Sequence, residues 1–274
     1  MTFNILKTVK ILASSAVLAS AALLAGCGQS DDPNGPLKVG VMAGPEADVM
    51  KVAVDIARQD HNVAVELVEF SDYVSPNVAL SDGSIDANAF QHRPYLDSMV
   101  RDRGFKLVAV GNTFVYPIAA YSKKLKDISE LQDGAKIAIP NDPSNEGRTL
   151  ILLHQRGFIK LNDVNNLEAT PADIIENPRD FQFIELDAAQ LPRSLDDVDM
   201  AFINNTYAVP AGYTPTRDAL LVEDKDSPYV NIIVTREDNQ ADPRVLALVK
   251  SYQTDAVETR AAELFKGSSV AGWK

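Results

Sequence analysis

Five short segments carry the residue types from which a site could be built. Ala89-Phe90-Gln91-His92-Arg93-Pro94-Tyr95 packs two aromatic rings, an imidazole and a cation into seven residues. Gly111-Asn112-Thr113-Phe114-Val115-Tyr116-Pro117 sets two more rings beside a proline that ends strand pairing. Pro140-Asn141-Asp142-Pro143-Ser144-Asn145-Glu146-Gly147-Arg148 reads as strand, turn and helix start, so free N–H groups face whatever lies at that helix end. Arg148 sits close to that start, where a cation opposes the helix dipole and needs an anion beside it. Its planar, permanently charged guanidinium can grip a carboxylate through two parallel hydrogen bonds. The anion is either a ligand or an acid of the protein itself, and the segment leaves both open. Asn204-Asn205-Thr206-Tyr207 and Ser227-Pro228-Tyr229-Val230-Asn231 complete the set. Each asparagine offers a donor and an acceptor, as a zwitterion requires. The competing readings are structural: rings plugging a core, a strand end, and surface turns.

Covalent chemistry has no comparable support. There is no Gly-x-Ser-x-Gly elbow, Walker A loop, Gly-x-Gly-x-x-Gly or His-Glu-x-x-His. His61, His92 and His154 are far apart with no local ligand partner, so no metal and no cofactor is expected. Acidic pairs such as Asp196-Asp197 are too common in this chain to single out an acid–base couple. A formal charge of −12 argues against nucleic acid as a partner. The lone cysteine excludes an intramolecular disulfide and a Cys-rich zinc site. The expectation is a protein that is not an enzyme.

Elements that could position these segments follow from periodicity. Leu37–Met42 reads as a strand, and Val49, Val52, Ala53 and Ile56 at spacings of three and four read as the buried face of a helix. Strands are expected at 63–70, 85–90, 105–110, 135–140, 181–186, 200–203 and 229–235. Helices are expected from Pro76, over 93–103, after the Asn141–Ser144 turn until Gly157, and once or twice over 243–265. The polar stretch 157–179 reads as a surface loop with a helical turn. Strands alternating with helices indicate α/β architecture, and 274 residues suffice for one large domain or two smaller ones.

The first residues form an address. Lys7 and Lys10 precede an uncharged run of 16 residues, Ile11–Gly26, which ends Leu24-Ala25-Gly26-Cys27. A basic start, a short apolar run and small residues before a cut make residues 1–26 a signal peptide. The ending resembles a bacterial lipobox, in which the cysteine, here Cys27, becomes an acylated N-terminus. Residues 27–36 then read as a lipidated, flexible tether. Several acyl chains hold a domain stably at a membrane surface.

At these residues the chain resembles the methionine-binding lipoproteins of the methionine ABC importer, within the NlpA lipoprotein family of type II-like periplasmic binding proteins. The resemblance runs from the lipobox to Ala271-Gly272-Trp273. Its distinctive stretches are 86–95, 107–117, 139–143, 190–195 and 223–231. It implies two α/β lobes joined by two crossing strands, with a ligand cleft between them. Lobe 1 would take 37–112 plus 232–274, and lobe 2 would take 113–231. It further implies that Arg148 holds the ligand carboxylate and that Asn204 and Asn231 bond its polar end. Tyr73, Phe90, His92, Tyr95 and Phe114 would then enclose the thioether. The implied partners are methionine, an ABC permease and ATPase complex, and membrane lipid through Cys27, on the periplasmic or extracellular side. Rival readings are another small amino acid or derivative in the same fold, a lipid-anchored hydrolase, and an adhesin-like lipoprotein whose cleft has no use.

Overall fold

The computed structural model describes residues 35–224 and 227–274. The expected signal peptide 1–26, Cys27 and the tether up to residue 34 lie outside the described residues. From Pro36 to Lys274 the chain forms one unit.

The first elements are β1 (Leu37–Met42), α1 (Pro45–His61), β2 (Val65–Phe70), α2 (Ser75–Ser81), β3 (Ala87–His92), α3 (Arg93–Arg103) and β4 (Leu107–Val115). They are followed by β5 (Ala119–Tyr121), β6 (Lys136–Pro140), α4 (Pro143–Gln155), β7 (Lys160–Leu161), β8 (Ile174–Glu176) and β9 (Gln182–Leu186). Next come α5 (Leu191–Ser194), β10 (Met200–Ile203), α6 (Asn205–Ala208), α7 (Pro215–Asp218) and β11 (Leu221–Val222). The chain closes with β12 (Val230–Arg236), α8 (Pro243–Tyr252), α9 (Asp255–Leu264) and β13 (Val270–Ala271).

These strands form two main sheets and hence two lobes. One sheet runs β13-β4-β12-β3-β1-β2, parallel where βα units join β1 to β2 and β3, and antiparallel around β12. The other runs β11-β5-β10-β6-β9. The chain leaves the first sheet after β4 and returns to it at β12, and these two strands are paired, with Val115 opposite Val230. Both crossings therefore run side by side, and residues at their inner ends face the space between the sheets.

Each sheet is buried by helices whose apolar faces meet it. Val39 and Val41 of β1 pack with Val49, Met50 and Ala53 of α1, with Leu248 of α8 and with Val257 of α9. On the opposite face Leu80 and Leu96 meet Leu107, Ile232 and Val234. In the second lobe Leu150, Leu152 and Leu153 of α4 cover Ile137, Ile139 and Phe202.

Three differences from the periodicity are instructive. The buried residues of α1 are Glu46, Ala47, Val49, Met50, Ala53 and Ala57, while Val52 and Ile56 are half-buried. The helix is rotated because α8 and α9 pack on it as well as the sheet. β4 continues to Val115, past the expected end at 110, because β12 and β13 pair with it on both sides. The 157–179 stretch contains a small antiparallel ladder of β7 and β8, besides a single helical turn at Pro171–Asp173.

Candidate ligand-binding site

A small cavity lies between the lobes. The first lobe and its crossings contribute Tyr73, Phe90, Gln91, His92, Tyr95, Tyr116 and Asn231, and the second contributes Asn145, Arg148, Asn204, Asn205 and Thr206. All but Tyr73 are buried, so the two lobes are closed around this space.

One end is aromatic. The rings of Tyr73, Phe90 and Tyr95 stand 5.9–6.2 Å apart, and Tyr207 packs on Tyr73 at 5.1 Å. The Tyr95 hydroxyl donates to the Tyr73 carbonyl at 2.7 Å, fixing one wall to the other. β3 and α3 set these rings: Phe90 lies near the end of the strand, and His92 caps the helix that carries Tyr95.

His92 stands between this end and the charged one, with its ring 6.3 Å from Tyr95 and 5.0 Å from Tyr229. Its Nδ1 accepts the Tyr95 backbone N–H at 3.2 Å, so the proton lies on Nε2, which donates to Asn145 Oδ1 at 3.2 Å. Burial first, and then the charge of Arg148, lower its pKa to about 3, so it is neutral across the physiological range.

The charged end is Arg148, on the second turn of α4. Its Nε donates to Glu223 Oε1 at 2.9 Å, and its Nη2 to Glu223 Oε2 and to the Tyr116 carbonyl, the latter at 3.0 Å. Its Cζ lies 4.5 Å from the centre of the Tyr229 ring. Nη1 makes no hydrogen bond among the described residues. The anion that the sequence demands beside this arginine is thus present as a protein carboxylate, with one amino group of the guanidinium left over.

The asparagines are joined through Asn145. Asp142 caps α4 and accepts from the Asn145 backbone N–H and side-chain amide at 2.9–3.0 Å. Asn145 Oδ1 accepts from Asn204 Nδ2 at 2.8 Å as well as from His92. Among the described residues the side-chain oxygens of Asn204 and Asn205 are buried with no hydrogen-bond partner. Asn231 Nδ2 donates to the Phe90 carbonyl at 3.2 Å.

Of the residues singled out from the sequence, Tyr73, Phe90, His92, Tyr95, Arg148, Asn204 and Asn231 meet at this cavity. Phe114 does not, and its assignment is corrected. It is fully buried in the first lobe, with ring centres 4.9 Å from Trp273 and 5.8 Å from Tyr252. Pairing of Phe114 with Ala271 of β13 puts it under the C-terminal helices, and Tyr116, two residues on, reaches the cavity instead. Gln91, Asn145, Asn205, Thr206 and Tyr116 were not singled out, although each lies inside a segment that was. Glu46 has no such signal. Its carboxyl accepts from the Thr206 hydroxyl across the lobes, and burial raises its pKa to about 7.

Comparison with known proteins gives a consistent picture. The D-methionine-binding lipoprotein MetQ of Escherichia coli K12 is 56% identical over 251 residues, 90% of this chain and 92% of that protein. The crystal structure of the methionine-binding protein MetQ superposes with a TM-score of 0.86 at 56% identity, covering 89% of this chain and all of that one. A nutrient-binding protein from Burkholderia cenocepacia bound to methionine gives a TM-score of 0.83 at 49% identity, covering 86% of this chain and 99% of that one. The model of the NlpA lipoprotein family matches residues 37–273, and the chain belongs to that family.

Proposed function

We propose that this protein is a lipid-anchored solute-binding protein that captures methionine between its lobes and delivers it to the permease and ATPase complex of an ABC importer. The observation that carries this reading is the composition of the closed cavity. An aromatic box stands at one end, and a guanidinium with a spare N–H group and amide oxygens that lack a partner among the described residues stand at the other. A thioether gains roughly 0.3–1.5 kcal/mol from each favourable aromatic contact. Arg148 Nη1 suits the carboxylate, and Asn204 Oδ1 and Asn205 Oδ1 suit the ammonium. No covalent step is required.

In this reading lobe 1 comprises 37–112 plus 232–274 and lobe 2 comprises 113–231. Cys27 carries lipid on its sulfur and becomes the N-terminus when residues 1–26 are removed, and the tether to residue 36 holds the lobes at a membrane surface outside the cytoplasm. Closure on the ligand joins the two lobe faces into one surface that the transporter can read, which requires tighter binding by the closed form than by the open one.

The test is mass spectrometry of small molecules released when the purified protein is denatured, coupled to thermal melts with added methionine. Methionine in the released fraction, or a raised melting midpoint, is the expected outcome. At a hundredfold excess over Kd the stabilisation is about 2.7 kcal/mol. A different released molecule, together with a melt that ignores methionine, would sink the reading.

A further inference from the structure

Glu223 stands at the charged end beside Arg148, and the ligand reading gives it no role. It follows β11 directly and reaches Arg148 in the wall of the cavity. Its two oxygens accept from Arg148 Nε and Nη2, from the Ile118 backbone N–H at 3.3 Å and from the Ser227 hydroxyl at 3.1 Å. Four donors converge on it, an arrangement that only the acceptor-only carboxylate satisfies in full. With side chains 3% and 11% exposed, the two charges interact where water screens them little.

This pairing fixes the charge of the cavity. Among the described lining residues Arg148 is the only one charged at neutral pH, because His92 is neutral. The carboxyls behind the lining, Glu46 and Asp142, are each engaged by their own donors, Thr206 for Glu46 and Asn145 and Ser144 for Asp142. Arg148 and Glu223 together therefore sum to zero. A ligand with a carboxylate and an ammonium keeps that sum, whereas an acid without the ammonium leaves a net negative charge enclosed by buried side chains. A lone arginine would welcome either.

We propose that Glu223 is a specificity-determining residue, which neutralises Arg148 so that the cavity accepts net-neutral amino acids and rejects carboxylic acids that lack the amino group. The inference rests on the reading of this cavity as a methionine site. Its mechanism is electrostatic coupling between the ligand ammonium and the Glu223 carboxylate, exerted through the charge on Arg148.

The experiment is a double-difference binding measurement by calorimetry. Methionine and its des-amino analogue, which keeps the carboxylate and thioether, are titrated into wild type, Glu223→Gln and Glu223→Asp. The wild type should prefer methionine strongly. In Glu223→Gln that preference should fall by about tenfold or more, within the range of coupling between neighbouring groups. Glu223→Asp should keep the preference even where its overall affinity drops, because the charge is retained. A purely structural role would weaken both ligands alike and leave their ratio unchanged, which would overturn the proposal. Should Glu223→Gln fail to fold, wild type alone decides: an analogue bound within about threefold of methionine contradicts charge selection. Loss of methionine binding by wild type would overturn the reading of the cavity and this inference with it, whereas normal methionine binding with an unchanged ratio overturns the inference alone.

Discussion

At the scale of single residues the site is a set of polar groups whose bonds are nearly, but not wholly, spoken for. Arg148 spends Nε and Nη2 on Glu223 and the Tyr116 carbonyl and keeps Nη1. Arg148→Ala should reduce methionine affinity at least about a hundredfold, because it removes the carboxylate's partner and strands Glu223, a change that costs roughly 3–5 kcal/mol for a buried pair. Calorimetry reads the affinity, and a melt in the absence of methionine separates the stability loss. Asn204→Ala should weaken binding by about 1–3 kcal/mol, the range for leaving a buried polar partner unsatisfied. Near-normal affinity in that variant would remove Asn204 from the site. The chemistry of Arg148 was legible in the sequence because its place near a helix start calls for an anion. The identity of the anion was not, because Glu223 lies 75 residues away and only the fold joins them. Phe114 was misread for a related reason. An aromatic on a strand beside a proline can face either side, and pairing with the C-terminal β13 decides which.

At the scale of elements, the start of α4 does most of the positioning. Asp142 caps the helix through the Asn145 backbone N–H and, with the same carboxylate, orients the Asn145 side chain that holds His92 and Asn204. Asp142→Ala should lower stability by roughly 0.5–2 kcal/mol for the cap alone, with a further loss of methionine affinity as Asn145 swings free. Thermal melts and titrations on the one variant check both effects. Gly147, one residue before Arg148, allows a close approach: a Cβ there would fall 2.3 Å from the Leu167 carbonyl oxygen. Gly147→Ala should therefore destabilise by about 1–3 kcal/mol, as overpacking does, and a melting midpoint equal to that of wild type would contradict the packing described. The helices with punctuation were the most legible elements. α3 runs from the His92 cap to Gly104 in the left-handed conformation, and α4 from the Asp142 cap toward Gly157. β4 was read short because Gly111-Asn112 interrupts its apolar run, and only its two neighbouring strands carry the pairing through.

At the scale of the whole molecule, polar contacts hold the lobes closed. Thr206 of α6 donates to Glu46 of α1, Asn205 Nδ2 donates to Ser268 Oγ at 3.0 Å, and His92 donates to Asn145. None of these pairings is visible in sequence, because each joins residues brought together only when both sheets have formed. Alternation of strands and helices revealed the α/β class, while the division into two lobes came from resemblance. Glu46 makes the closed form sensitive to pH. Its pKa is raised from 4.5 to about 7 by burial, so between those values the folded state holds a proton that the unfolded chain has lost. Its favourable contribution is complete below pH 4.5 and is lost as the pH rises to about 7. Glu46→Gln should therefore gain stability relative to wild type as pH rises through that window, by at most about 3 kcal/mol. Denaturant melts of both proteins at several pH values measure the difference, and a pH-independent difference would contradict the burial of a titrating carboxyl. The central claim is that the cavity between the lobes takes methionine through Arg148. Calorimetric titration of methionine into wild type, unfolded and refolded beforehand to strip any retained ligand, and into Arg148→Ala tests it most directly. The account predicts saturable binding of about one methionine per chain by wild type and none measurable by the variant. Equal binding by both proteins, or none by either, would contradict it.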